Sequence, residues 1–310
     1  MDLTCLHLLQ DLRESLPAFL TSFMLLVSDF TMKALPVLCA VLYWSISRRW
    51  GIVAMLSYHC SNLLTLTFKE ICGVLRPYHR DPTLVPLPSA SSTFSFPSTH
   101  SQVATSFFGT VTLWQAKARK WLSLLSGLLL ALAMFSRLYL CMHTPQDVLT
   151  ACALTFMCIL AGRRLVSWLD AHPGKTSPAI FLGLVAGAGL LMFLTSRPAA
   201  VIRGDSGEVL VDSARAIPMY YRETGRFMGF LVAMLLDEQV TQYEPPRTLF
   251  SRFLVGAAGI LLFSLFSFEV EGALDSELGS CWGGFVMCFA KSFLMLGLYP
   301  LIVSHLPFIT

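Results

Sequence analysis

Residues 121–162 read WLSLLSGLLLALAMFSRLYLCMHTPQDVLTACALTFMCILAG. Two apolar stretches, 121–137 and 146–162, are each long enough to cross or nearly cross a hydrocarbon core. Between them lies a short polar run that holds Arg137, His143 and Asp147. Apolar helices that carry their ionisable groups at the connection suit a bilayer, where a polar side chain is tolerated at a helix end and costly at the centre.

The rest of the chain agrees. Of its 310 residues, 55% are hydrophobic and 13% charged, and the mean hydropathy is +0.65, too apolar for an ordinary soluble domain. Further apolar stretches at about 33–47, 51–68, 99–116, 178–195, 225–237, 252–268 and 281–304 bring the expected number of spans to eight or nine, all helical. Residues 2–30 mix Leu and Phe with Asp11, Arg13, Glu14 and Asp29, which predicts a helix lying along the interface. The longer connections, 76–98 and 196–224, are rich in Pro and Ser or in charge and read as surface loops. With no internal repeat or low-complexity linker, the chain divides into an N-terminal interfacial segment (1–32), a membrane core (33–177) and additional C-terminal helices (178–310).

Composition also excludes classes. A net charge of +3, with no basic stripe, makes nucleic acid an unexpected partner. Nine scattered cysteines predict neither a metal cluster nor a disulfide framework, and no metal or cofactor is expected. MDLTCLHLLQDLRES lacks a basic region ahead of an apolar core, so no cleavable secretory signal is expected.

Arg48 and Arg49, then Lys117, Arg119 and Lys120, then Arg163, Arg164 and Lys175 fall in alternate connections, which predicts a cytoplasmic position for them. Three other runs then share the outer side: Lys69–Pro77 (KEICGVLRP), Pro97–His100 (PSTH) and Ser136–Asp147 (SRLYLCMHTPQD). If the helix through Lys69 continues to the residue before Pro77, Lys69, Gly73 and Arg76 share a face; a pair of interfacial anchors explains the two cations equally. Ser98 suits an N-cap, which leaves the amides of Thr99 and His100 free for an anion or for nothing beyond capping. Thr144, Pro145 and Asp147 fit N-cap, N1 and N3 of the next helix. Asp147 is then either half of a capping box or the acceptor that fixes the tautomer of His143. Arg137 offers a planar fork suited to phosphate oxygens.

In order, K-x6-RP, PS-x-H and SR-x5-H-x3-D resemble the three-part signature of the type 2 phosphatidic acid phosphatase and vanadium haloperoxidase superfamily. All ten fixed positions match, from Lys69 to Asp147, and the motif region covers about residues 51–162. The flanking FSFPSTHSQ and SRLYLCMHTPQDVL are similar to membrane members found in bacteria. The resemblance implies an all-α membrane bundle and a bacterial cytoplasmic membrane with an extracytoplasmic active site. It also implies hydrolysis of a lipid phosphate through a phosphohistidine. On it, His143 is the nucleophile, Asp147 its orienting partner and His100 the acid and base, while Lys69, Arg76, Ser98, Thr99 and Arg137 hold the phosphate. Thr99 stands where Gly is commonest in the family, and Cys141 where relatives often have Gly.

The implied substrates are polyprenyl diphosphates, phosphatidate-like lipids or sphingoid phosphates, with membrane lipids as surroundings. Three alternatives remain at this point: a phosphotransferase on the same site, a vanadate-dependent haloperoxidase, and a silent transporter or scaffold. Lys291, within the last apolar stretch, calls for an inward partner. Arg215, Arg222, Glu223 and Arg226 read as a solvated outer-loop charge run.

Overall fold

Amphipathic and wholly apolar periodicity produces helix almost throughout. The computed structural model describes residues 2–172, 174–269 and 271–306, with the backbone alone for residues 2 and 266–278. Two compact units share the chain: Met1–Pro36, Cys60–Leu160 and Ala199–Arg215 form one, and Val37–His59, Ala161–Pro198 and Ala216–Thr310 the other.

The first unit contains α1 (Asp2–Ser15), α2 (Ala18–Lys33), the second half of α4 (Arg48–Cys72) and the short α5 (Pro77–Arg80). A helical run follows, α6 (Thr99–Ala104), a π turn (Thr105–Gly109) and α7 (Thr110–Gln115), then α8 (Lys120–Tyr139) and the first part of α9 (Pro145–Ala171). A two-stranded hairpin, β1 (Val201–Arg203) with β2 (Val209–Asp212), pairs antiparallel and completes this unit. α8 is the central post, packed on α1, α2, α6 and α7. It stops at Tyr139, and Cys141 then adopts a φ of 54°, a left-handed conformation that glycine reaches without penalty. This is a physical reason for a glycine at that position in relatives. Leu6, Met24, Tyr78, Leu84, Tyr139, Leu140, Cys141 and Met142 make one apolar cluster, so the N-terminal helices brace the segment that leads to His143.

The N-terminal piece therefore differs from the single interfacial helix expected. It is two helices broken at Leu16–Pro17, with Arg13 buried against the carbonyl oxygens of Val85 (3.0 Å) and Tyr139 (3.4 Å). Proline at the start of α2 has no N–H to extend α1, which explains the break. Residues 76–98 also depart from a surface loop: Leu84, Phe94, Ser95 and Ser98 are fully buried or nearly so.

The second unit holds α3 with its π turn (Leu35–Val41, Leu42–Ile46) from residue 37 onward, the first half of α4 and the end of α9. It continues with α10 (Thr176–Ser196), α11 (Ile217–Leu236), α12 (Leu249–Glu269), α13 (Glu271–Phe293) and α14 (Tyr299–Ser304). α11 and α13 approach closely because Gly225 and Gly229 face the Phe285 and Phe289 carbonyl oxygens; an added Cβ would lie 2.4 and 2.3 Å from them. Arg222, Glu223 and Arg226 lie inside α11 and not in a solvated loop, and Glu223 pairs with Arg226. Lys291 sits 4.1 Å from the centroid of the Phe263 ring.

Among the described residues, four helices are long and apolar enough to cross a membrane: α8, α9, α10 and Gly279–Ser304. A fifth is reached if Ala18–Lys33 and Leu35–Ile46, bent by 47°, count as one span. Eight or nine were expected. Helices do form at the other positions; Leu249–Leu265 is apolar but shorter, and two others are polar where they face inward. α4 buries Ser57, His59, Ser61, Asn62 and Thr65, and the run 99–115 buries Ser101, Gln102, Thr105, Ser106 and Thr110.

Candidate active site

Each motif enters the first unit at a helix end. α4 stops at Cys72, where Gly73 takes a φ of 59°. Arg76 is extended, with ψ of 151°, and precedes α5. The expected shared face of Lys69, Gly73 and Arg76 on one continuous helix is thus not formed. Gly73 instead turns the chain, and the two cations reach the site separately.

Lys69 is 5% exposed and donates to the carbonyl oxygens of Phe94 and Ser95 at 2.7 and 3.2 Å. Arg76, 6% exposed, donates to the Thr93 and Met142 carbonyls, each at 3.1 Å, and to Thr93 Oγ1 at 3.1 Å. Its Nη1 also lies 3.0 Å from His143 Nε2.

That last contact settles the state of the imidazole. A guanidinium only donates, so Nε2 must present its lone pair and the ring proton belongs on Nδ1. Nδ1 in turn faces acceptors: Asp147 Oδ2 at 3.5 Å and Ser95 Oγ at 3.4 Å. Ser95 gives its own proton to Asp147 Oδ2 at 2.6 Å, leaving a lone pair toward the ring. Burial pushes the His143 imidazole well below its usual range, with Arg76, Lys69 and Arg137 adding to the effect, so the ring is held neutral.

Asp147 is placed where both readings of the sequence need it. Its Oδ2 accepts from the Thr144 amide at 2.8 Å, while its own amide donates to Thr144 Oγ1 at 3.3 Å, a reciprocal cap for α9. The same oxygen lies 3.5 Å from His143 Nδ1. Ser98 caps α6, accepting from Ser101 N at 3.4 Å, and its amide donates to the Asp147 carbonyl at 3.1 Å. The second motif is thereby tied to the third, with Thr99 and His100 in the first turn of α6, both half-buried.

Arg137, in the last turn of α8, is 2% exposed. One Nη donates to Ser28 Oγ at 2.5 Å, and Nε is buried with no hydrogen-bond partner among the described residues. The charges of Arg137, Arg76 and Lys69 act on both His100 and His143. An orphaned guanidinium donor near other buried cations fits an anionic ligand. Among the described residues, no three His, Cys, Asp or Glu side chains gather to hold a metal ion.

Sequence reasoning missed Ser95 and Ser28. Ser95 lies within ASSTFSFPSTH, a Ser-rich run that reads as loop, and only its place two residues before Pro97 marks it out. Ser28 carries no local signal, since its meaning depends on α2 packing against α8.

Residues 50–170 match the family profile of the PAP2 superfamily. The likeness to that superfamily is confined to this region. An undecaprenyl-diphosphatase from Sulfolobus acidocaldarius is 28% identical over 137 residues, a match that takes up 44% of this chain. The chain spans 59% of that curated relative's length. No solved structure matches. All the residues of the PAP2 signature quoted above, from Lys69 to Asp147, fall inside the matched region.

Proposed function

We propose that this chain is a lipid phosphate phosphatase that works through a phosphohistidine and without a metal. The observation that carries the reading is the charge balance of the buried site. Lys69, Arg76 and Arg137 are buried with one buried carboxylate, Asp147, and a neutral His143; even with the half-buried Glu70 acting on Lys69, positive charge is in excess. A dianionic phosphoryl group supplies the missing charge, and its oxygens would accept from the unpartnered Arg137 Nε.

On this reading Arg76 passes from His143 Nε2 to a phosphoryl oxygen when substrate enters. The freed Nε2 lone pair attacks phosphorus, and the bond to the leaving oxygen breaks. His100 gives that oxygen a proton. Asp147 and Ser95 stabilise the positive charge that grows on the ring. In the second half, His100 removes a proton from water, the water oxygen attacks phosphorus, and the N–P bond breaks to release phosphate and restore neutral His143. Ser98 holds the first turn of α6 in place, and the Thr99 amide binds a phosphate oxygen.

The substrate is an amphiphile, because the site lies at the ends of apolar helices. A polyprenyl diphosphate is the first candidate, supported by the name of the Sulfolobus relative, with phosphatidate-like and sphingoid phosphates next. The alternation of basic connections supports an extracytoplasmic site in a bacterial membrane. Transfer of the phosphoryl group to a lipid or sugar hydroxyl differs only in the acceptor.

Purified protein offered undecaprenyl diphosphate, phosphatidate and sphingosine phosphate in excess chelator tests the proposal. It predicts phosphate release that His143→Ala and His100→Ala abolish. A requirement for added divalent metal, or unchanged turnover in both variants, refutes it. Activity that required vanadate, peroxide and halide would assign a haloperoxidase instead.

A further inference from the structure

The second unit contains a cavity of about 440 Å³ lined by none of the residues of the histidine site. Its lining changes character in the same direction along four helices. α4 contributes Arg48 and Arg49 at one end and Ile52 and Leu56 one to two turns further on. α9 supplies Asp170 near its end and Val166 a turn before. α10 begins at Thr176 and presents Ile180 a turn later. α11 offers Phe230 first, with Asp237 and Glu238 immediately after its last residue. A slot that is polar at one mouth and apolar in depth has the polarity of a lipid, and its volume lies in the range of small-molecule sites.

The mouth is specific about charge. Arg48 and Asp237 close on each other at 2.7 Å, with Asp237 only 2% exposed. Arg49 donates to Ser167 Oγ at 2.6 Å and its Nε lies 3.9 Å from Asp170 Oδ2, while its side chain stays 52% exposed. Arg252 spends Nε on the Pro246 carbonyl at 2.7 Å. Glu238 Oε2 is buried with no hydrogen-bond partner among the described residues. A buried carboxylate oxygen without a donor is costly unless a ligand supplies one.

We propose that this slot binds a membrane phospholipid whose head joins a primary ammonium to a phosphate. The ammonium donates to Glu238, the phosphate lies against Arg252 and Arg49, and one acyl chain occupies the slot between α4, α9, α10 and α11. Phosphatidylethanolamine has this head. Phosphatidylcholine lacks the N–H donors, and phosphatidylglycerol lacks the cation. The proposal is independent of the phosphatase reading, because its readout is binding.

The test is thermal unfolding of the full chain, purified in detergent, titrated with these three phospholipids carrying identical acyl chains. A ligand that binds only the folded state raises the midpoint by mass action. Phosphatidylethanolamine is expected to bind about tenfold more tightly than phosphatidylcholine, the effect of one charged hydrogen bond. Glu238→Gln should erase that preference, and Arg252→Gln should weaken all three lipids. Ala179→Trp, which fills the slot and leaves the mouth intact, should abolish the shifts and serves if Glu238→Gln fails to fold. Equal shifts for the three lipids, a preference for phosphatidylglycerol, or a preference that survives Glu238→Gln overturns the proposal.

Discussion

At His143 the two ring nitrogens are distinguished entirely by their neighbours, Arg76 on Nε2 and the Asp147–Ser95 pair on Nδ1. Ser95 is a positioning residue here, since its hydroxyl holds Asp147 Oδ2 at 2.6 Å. Ser95→Ala removes a charge-assisted hydrogen bond of about 1.5–3 kcal/mol, so kcat should fall by roughly 10- to 100-fold with little change in KM. Steady-state kinetics on the variant checks this; a change confined to KM would assign Ser95 to substrate binding. The lowered pKa of His143 fixes the sign of the acid limb. A base that stays neutral below the usual histidine value of about 6.5 remains a nucleophile there, so kcat/KM should fall only at lower pH. Burial and the neighbouring Arg137 lower His100 as well, so the limb on which it loses its proton should also lie on the acid side of the usual histidine value; a rate rising monotonically into alkali would remove His100 as the acid. Stability follows the same linkage. The unfolded chain takes up a proton that the buried ring resists, so this contribution is complete above about 6.5 and is lost as pH drops below it.

At the scale of elements, helix ends carry the site and glycine carries the packing. The three motifs were legible in sequence because each follows a rule of helix termini: a Ser cap, a Thr-Pro-x-Asp start and a cationic last turn. The break at Gly73 was not, since a glycine within a run of helix formers reads as tolerated, and only its left-handed φ shows that the helix ends. Ser28 and Ser95 were illegible for a different reason: their partners lie 109 and 52 residues away in sequence. The expected number of spans exceeds the four or five long apolar helices among the described residues partly because an apolar stretch in sequence can still carry a polar side that lines the interior, as in α4. In α11, GRFMG (225–229) sets the approach to α13. Gly229→Leu drives side-chain atoms into the Phe289 backbone, and a rigid backbone contact cannot yield as a flexible side chain would. Overpacking of this kind costs about 1–3 kcal/mol or more, so thermal unfolding should shift downward by several degrees, whereas Gly189→Leu, which meets nothing within 4 Å, should be close to neutral.

For the molecule as a whole, the order of the chain is not the order of the units. α4 and α9 each pass from one unit to the other in mid-helix, between residues 59 and 60 and between 160 and 161. The hairpin 199–215 returns to the unit of the histidines, where Asp212 N donates to the Ser92 carbonyl at 3.3 Å. A chain ending at residue 177 therefore retains every motif yet loses that hairpin and most of the second unit. It should yield no phosphate release in the same assay, and a fully active truncation would show that the motifs need only residues 1–177.

The hold of Arg76 on His143 Nε2 has a further consequence, for reactivity toward reagents that have nothing to do with substrate. The imidazole with the most important lone pair is 2% exposed and its electron pair is occupied, while His100 is half-buried and more open. The resting protein is thus chemically guarded at the proposed nucleophile. An acylating reagent such as diethyl pyrocarbonate should modify His100 before His143 and leave His143 intact, which peptide mass spectrometry after brief labelling reads directly.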